Sequence, residues 1–180
     1  QMNPHFIFNS LNSINSFILE NERMQASEYL SKFSRLVRLI LQNSRETLIP
    51  LERELEALGL YLELESLRFE KKFEYKIWVN DDVDAAVVKV PPLIIQSYAE
   101  NAIWHGLMHK KDKGRLLVEL YTDNNFLFCK ITDDGIGRQK VDEIKGKIQA
   151  LHKSRGMQTT ARRIEMLQQK KQLDTQIKIT

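Results

Sequence analysis

Apolar residues recur along the first 44 residues with the spacing of two α-helices. In residues 5–20 they lie three or four positions apart, at Ile7, Leu11, Ile14 and Ile18, which predicts an amphipathic helix. A second helix is predicted over about residues 25–44, and its apolar face comprises Ala26, Leu30, Phe33, Val37, Ile40 and Leu41. Such a hairpin buries too little apolar area to be stable alone. We therefore expect it to pair with a second copy in a four-helix bundle.

The pattern changes after residue 46. A helix is predicted from Leu51 to about Phe69, and alternation predicts a strand over residues 73–79. A helix opening at Pro91-Pro92 is expected to reach about residue 108. Strands around 116–120 and 126–133 would form a hairpin turning at 123–125, followed by a loop, a helix over about 156–171 and a strand from 176. The predicted fold class is α+β, with a helical hairpin over 1–46 and a second domain over 47–180.

Composition and charge narrow the function classes. The 180 residues are 42% hydrophobic and 28% charged, as in soluble globular proteins. The formal net charge of +3 is too small to indicate a nucleic-acid partner. No stretch approaches the roughly 18 apolar residues of a membrane span. The single cysteine, Cys129, excludes an intrachain disulfide, and its place in an apolar run predicts a buried side chain.

A polar line of residues follows the opposite side of the first predicted helix. His5, Asn9, Asn12 and Ser16 repeat the apolar spacing two positions earlier, which is about 200° around a helix. His5 is therefore expected to face solvent. Such a histidine is either an ordinary surface residue or a nucleophile, and one residue alone does not distinguish the two.

The helix expected over residues 92–108 carries a candidate metal ligand. Asn101 offers a side-chain oxygen of the hard type that suits Mg²⁺, and Glu100 lies beside it. Ser97, Asn101 and His105 are four residues apart, which places them on one face of a regular helix. An ordinary exposed polar face would show the same pattern.

Asp133 is the candidate nucleotide-binding carboxylate. It shares strand parity with Leu127 and Cys129, so we expect it to point toward a buried side. A buried carboxylate needs a partner, and the exocyclic amine of adenine would serve. Gly135 and Gly137 would let a ligand approach the backbone closely. A strand that ends in an ordinary Asp-Gly turn is the alternative.

Together these segments resemble the sensor histidine kinases of the LytS/YehU type over nearly all 180 residues. Asn3-Pro4-His5-Phe6-Ile7-Phe8-Asn9 is similar to the family's phosphoacceptor segment and places the acceptor at His5. The stretch from Pro91 to Gly106 is similar to its Mg²⁺-binding helix. Asp133-Asp134-Gly135-Ile136-Gly137 is similar to its adenine box, and Gly156-Met157 to its second glycine box at the end of the ATP lid.

The resemblance implies a fold, a reaction and partners. The fold is the two-layer ATP-binding sandwich shared with gyrase, the Hsp90 chaperones and MutL. The reaction uses ATP and Mg²⁺ to phosphorylate His5, and the phosphoryl group then passes to an aspartate of a response regulator receiver domain. We expect a homodimer that binds no nucleic acid. The chain would be a cytoplasmic fragment of a bacterial inner-membrane receptor, whose upstream sensor or membrane segment is absent.

Further roles follow from the same resemblance. Asn101 would hold Mg²⁺, with Glu100 assisting or ordering water, and His105 and Lys110 would contact phosphates. Many histidine kinases carry an acid directly after the acceptor, where this chain has Phe6. We therefore expect Asn9, one helical turn away, to orient His5.

The chain also departs from the family pattern. The second glycine box keeps only Gly156, and Thr159 stands where an asparagine is common. Two other functions therefore stay open. One is an ATP-gated interaction module without phosphotransfer, and the other is a related kinase that acts on a protein serine.

Overall fold

The protein is described from a computed structural model that defines residues 4–124 and 126–136, and its fold class is α+β as expected. The expectations for Gly137, Gly156, Met157, the last helix and the final strand lie outside these residues. The chain divides into two compact units, which are described separately. The first comprises Gln1–Ile77 and Asp84–Gln96, and the second comprises Trp78–Val83 and Ser97–Thr180. The domain boundary expected at residue 46 stays a prediction.

Three helices build most of the first unit. Helix α1 spans Pro4–Leu19, α2 spans Arg23–Asn43 and α3 spans Leu51–Arg68. The chain reverses between α1 and α2 at Asn21, whose φ of 62° is in the left-handed region that asparagine tolerates. Both helices therefore form within a few residues of their predicted bounds.

The core between these helices differs from the predicted apolar seam. The buried residues of α1 are Phe6, Ser10 and Ile14, whereas Leu11 and Ile18 are 50% and 58% exposed. The reason is that α3 packs on the hairpin as a third helix. The Phe6 ring lies between those of Phe33 on α2 and Tyr61 on α3, with centroid distances of 6.1 and 5.1 Å. Burial therefore follows the side of α1 that faces both partners.

A short two-stranded sheet in the first unit was not predicted. Strand β1, Ile49–Pro50, pairs antiparallel with β3, Lys89–Val90. The loop before β3 also satisfies the start of α3, because the backbone carbonyl groups of Val88 and Ala85 accept from the first two N–H groups of that helix at 2.8 and 2.9 Å. Two residues per strand give too short a pattern for alternation to show.

The larger sheet has the strand order β2-β4-β5, with β2 at Phe73–Val79, β4 at Gly114–Asp123 and β5 at Phe126–Asp133. The last two residues of β2 belong to the second unit. Strands β4 and β5 form the predicted antiparallel hairpin, in register from Leu116 opposite Asp133 to Asp123 opposite Phe126. The alternate residues Leu116, Val118 and Leu120 of β4 are buried.

Two burial predictions on β5 were wrong. Cys129 and Asp133 are both exposed, although they pair with the buried Leu120 and Leu116. Among the described strands β5 lies at the end of the sheet, whereas β4 has a neighbour on each side. Parity sets which face a side chain is on, but coverage of that face depends on the position of the strand in the sheet.

The helix predicted over 92–108 is divided into three segments. Helix α4 spans Ile94–Asn101, a π-helical turn follows at Ala102–Gly106, and a 3₁₀ turn closes at Leu107–His109. The helix begins two residues after Pro92 because Leu93 has a φ of 63°, which is incompatible with a right-handed helix. The predicted segment is therefore helical throughout most of its length but irregular after Asn101.

Candidate functional site

His5 lies on the exposed surface of α1, as its position opposite the apolar residues predicted. The next residue, Phe6, is 3% exposed and anchors this end of the helix in the core of the first unit. The Asn9 Nδ2 atom lies 2.9 Å from His5 Nδ1. Residues four apart on a helix surface are neighbours, so helix geometry brings this pair together. The contact that was expected to orient His5 is therefore present.

Asn101 is the last residue of α4 and is half-buried. Its Nδ2 atom donates to the backbone carbonyl of Ser97 at 2.6 Å. Since the amide nitrogen is held by the preceding turn, Oδ1 is the side-chain atom that would bind a cation. The described residues contain no cluster of three or more metal-ligating side chains. One amide oxygen fits Mg²⁺ nonetheless, because this ion keeps several waters and shares phosphate oxygens.

The π-helical turn begins directly after Asn101. Its hydrogen bonds run from residue i to i+5, so the helix that carries Ser97 and Asn101 is not regular as far as His105. The expectation that the His105 side chain shares a face with Ser97 and Asn101 stays a prediction. Single π-helical turns inside helices occur frequently at functional sites.

Gly106 ends this turn and packs against the segment after β5. The Asp133 Oδ1 atom accepts from the Gly135 N–H at 2.9 Å. A Cβ atom on Gly106 would lie 2.5 Å from Asp133 Oδ1, and one on Gly135 would lie 2.5 Å from both Cα and the carbonyl carbon of Gly106. Real Cβ atoms do not approach so closely. Two motifs almost 30 residues apart thus meet in a cluster where a Cβ on Gly135 would meet backbone and one on Gly106 would displace the Asp133 carboxylate.

Lys110 and Asp134 connect the segment after the 3₁₀ turn with the segment after β5. The Lys110 Nζ atom lies 2.8 Å from Asp134 Oδ2, and Asp134 Oδ1 accepts from the Arg115 backbone N–H at 2.7 Å. The hydrogen bond from Lys110 and the one from Arg115 hold the pKa of the Asp134 carboxyl below its ordinary value. Lys110 therefore has a protein partner, and its contact with phosphate stays a prediction.

The predicted residues fall into two groups, each within one compact unit. The first unit holds His5 and Asn9, and the second holds Asn101, His105, Lys110, Asp133 and Gly135 together with Glu100. Within the second unit, the turn after Asn101 is what contacts the Asp133 segment. Metal-binding and adenine-binding candidates are thus connected through five residues of π-helical backbone.

Sequence reasoning missed Glu54, a carboxylate of α3 with 0% exposure. Its Oε2 atom accepts from the Leu93 N–H at 2.7 Å, and Oε1 accepts from Ile95 and Gln96 at 2.9 and 3.4 Å. These N–H groups lie at the start of α4 or directly before it, where the helix itself offers them no acceptor. The spacing of Glu54 was the signal in the sequence that could have indicated burial. Glu54 lies three positions after Leu51 and four before Leu58, which is the spacing of the buried residues.

The burial of Glu54 has a clear energetic compensation. Moving a carboxylate out of water costs several kcal/mol even after relaxation, roughly 3–5 kcal/mol when it is left unpaired. Hydrogen bonds to a charged group contribute about 1.5–3 kcal/mol each, and the positive end of a helix dipole adds up to about 2 kcal/mol. Three backbone donors at a helix start therefore offset the burial.

The chain is similar to known signalling proteins. Residues 1–73 match the histidine kinase family. Sensor protein LytS of Bacillus subtilis (strain 168) is 36% identical over 137 residues, which are 76% of this chain and 23% of that protein. LytS of Oceanobacillus iheyensis is 34% identical over 148 residues, 82% of this chain and 25% of that protein. LytS of Enterococcus faecalis is 35% identical over 76% of this chain and 23% of its own length.

The chain therefore belongs to the histidine kinase family. Within that family it is related to the LytS-type sensor proteins, and it spans about a quarter of the length of the curated relatives it matches. Among the helices that the structure defines, none combines the length and apolar character needed to cross a bilayer.

Proposed function

We propose that this chain uses ATP to phosphorylate His5 and then passes the phosphoryl group to an aspartate of a response regulator. The observation that supports this best is the close packing of Gly106 with Asp133 and Gly135, next to the turn that follows Asn101. It brings the two nucleotide motifs into one region of the second unit. Kinship with LytS-type sensors supports the same signalling role.

The second unit would supply the ATP site, built as the two-layer sandwich of the gyrase and Hsp90 class. Asp133, which is exposed rather than buried, would accept from the adenine amine with the oxygen that does not hold Gly135. Asn101 Oδ1 would bind Mg²⁺, and Glu100 would assist it. Magnesium would neutralise the charge that develops on the phosphates. Gly137, Gly156 and Met157 are proposed to complete the phosphate and lid contacts.

The first unit would supply the nucleophile. The Asn9 Nδ2 group donates to His5 Nδ1, so the proton of the neutral ring is on Nε2. Nε2 would lose this proton to solvent, because Phe6 stands where an acid or base would otherwise follow His5. Nε2 would attack the γ-phosphorus as the bond to the ADP oxygen breaks. The phosphoryl group would next move from nitrogen to an aspartate oxygen of the partner.

Dimerisation through the hairpin is part of this proposal. The helices α1 and α2 carry exposed apolar side chains that the three-helix core leaves uncovered; they are Phe8, Leu11, Ile18, Leu30 and Leu41. Exposed apolar positions along two adjacent helices are what a four-helix bundle with a second copy would bury. We further propose that the complete protein tethers this cytoplasmic region to a membrane sensor.

Labelling with γ-labelled ATP and Mg²⁺ tests the function directly. We expect wild-type protein to incorporate acid-labile, alkali-stable label, and His5→Gln and Asn101→Ala to incorporate none. His109→Gln is the matched control, because His109 is also exposed but has no proposed role. Acid-stable label would instead indicate a serine kinase. Nucleotide binding without any label would leave the ATP-gated interaction module as the better interpretation.

A further inference from the structure

We infer that Glu54 is a positioning residue for the magnesium site, which it serves by fixing the start of the helix that ends in Asn101. This inference rests on the proposed function. Glu54 belongs to α3, is fully buried, and receives the backbone N–H groups of Leu93, Ile95 and Gln96. Its carboxylate thus takes the place of an N-cap side chain, although it comes from a helix about 40 residues earlier.

Because α4 is short, the contacts of Glu54 at its start can affect Asn101 at its end. The helix has eight residues, so only two turns separate the Glu54 contacts from the candidate metal ligand. Ser97 lies between them, and its carbonyl accepts from Asn101 Nδ2. A change in the position of the first turn is therefore passed along backbone hydrogen bonds to the side chain that would bind Mg²⁺. The sequence of α4 contains no glycine or proline that would interrupt this path.

Leu93 provides a second, independent observation. Its φ of 63° is unfavourable for a residue with a large side chain, and such conformations persist only where their surroundings impose them. The Leu93 side chain is buried, and its N–H makes the shortest of the three bonds to Glu54. The entry of the chain into α4 is thus held in a strained geometry by the carboxylate.

Glu65 offers a matched control on the same helix. It is also 0% exposed, but its oxygens pair with Arg68 at 2.6 and 3.1 Å rather than with the start of α4. Glu54→Gln and Glu65→Gln therefore make the same chemical change at two equally buried positions of α3. The amide introduced by Glu54→Gln would direct a donor at one of the N–H groups that the carboxylate accepts.

The experiment measures binding of a non-hydrolysable ATP analogue by calorimetry, with Mg²⁺ or with a chelator. For Glu54→Gln we expect unchanged affinity in chelator and about a tenfold smaller enhancement by Mg²⁺, as when groups that orient metal ligands are removed. Glu65→Gln should keep the full enhancement even if its thermal midpoint falls equally. If Glu54→Gln does not fold, Glu54→Asp, which keeps the charge and moves it by one methylene, decides the question.

Amide hydrogen exchange tests the anchoring of α4 by Glu54 separately from the proposed function. Glu54→Gln should speed amide exchange from Leu93 to Asn101, whereas Glu65→Gln should not. Full Mg²⁺ enhancement in Glu54→Gln, or equal loss in both variants, would overturn the positioning role. If wild-type protein binds no nucleotide at all, the proposed function fails. Unchanged exchange at Asn101 in Glu54→Gln would then overturn the anchoring independently.

Discussion

The two candidate sites of this molecule are built in opposite ways. His5 stands on an exposed helix surface, where helix geometry places Asn9 beside it. Asp133 lies beside Gly106 and Gly135, where a Cβ on Gly135 would meet Gly106 backbone atoms at 2.5 Å. A phosphoacceptor must be reached in turn by a nucleotide and by a partner protein, so an exposed position suits it. A nucleotide site must exclude wrong geometries, and close packing suits that. Substitutions should therefore be tolerated very differently at the two sites.

The largest effect is expected for Gly135→Ala. Its Cβ would meet Gly106 backbone atoms at 2.5 Å, and backbone cannot move aside as a side chain can. Overpacking of this kind typically costs about 1–3 kcal/mol in the free energy of unfolding. We also expect nucleotide binding to be lost in calorimetry, since Asp133 is bonded to Gly135. Urea denaturation gives the stability change.

Gly59→Ala is the control for that variant. Gly59 lies inside α3, and no heavy atom lies within 4 Å of a Cβ added there. The same substitution should therefore raise stability by about 0.5–1 kcal/mol through helix propensity, without any change in nucleotide affinity. If Gly135→Ala bound nucleotide normally and unfolded like wild type, the close-packed description of this site would be wrong.

A smaller effect is expected for Asn9→Ala. Loss of one hydrogen bond of about 1 kcal/mol would slow autophosphorylation roughly fivefold, because His5 would spend less time in the reactive orientation. Stopped-time labelling measures this rate. Asn12→Ala, at an exposed position on the same helix, should leave it unchanged. If Asn9→Ala were phosphorylated at the wild-type rate, the exposed site would need no residue to orient His5.

The smallest effect concerns Asp134 and its dependence on pH. The pKa of the folded Asp134 carboxyl is lowered, first by Lys110, so its charge stabilises the folded state above the carboxyl's ordinary pKa. That contribution is lost as the pH falls through the folded pKa. Since this ion pair is partly exposed, we expect less than about 1 kcal/mol.

Thermal unfolding of Asp134→Asn tests the direction of this pH dependence. The amide oxygen of this variant would still accept from the Arg115 N–H, so the substitution removes the charge while it keeps an acceptor. Its thermal midpoint should be slightly below that of wild type at pH 7, and the difference should disappear in acid. A difference that grows as the pH falls would contradict the assigned cause.

The sequence predicted most of the helices and strands that the structure describes. It also predicted the arrangement around His5, but not the packing of Gly106 against Asp133. Helical spacing placed α1, α2 and α3 within a few residues of their bounds, and alternation placed β2, β4 and β5. It also placed His5 outward and Asn9 beside it, because both follow from the geometry of a single helix. These features depend on contacts between residues that are near one another in the chain.

The errors share a physical cause. Leu11 and Ile18 were predicted on the apolar face of α1, but within this chain burial follows Phe6, Ser10 and Ile14, because α3 packs there through Tyr61. Cys129 and Asp133 were expected to be buried, but β5 lies at the end of the described sheet. In each case the local period was correct, and the element that covers the face decided burial.

What the sequence alone determined is therefore the helices α1 to α3, the strands β2, β4 and β5, the outward histidine and the family. The tertiary structure decided which apolar faces are covered, that Gly106 meets Asp133, and that Glu54 receives the start of α4. Periodicity reports interactions along a few turns of one element. Contacts between residues about 40 positions apart leave no such period, because they arise only when separate elements pack together.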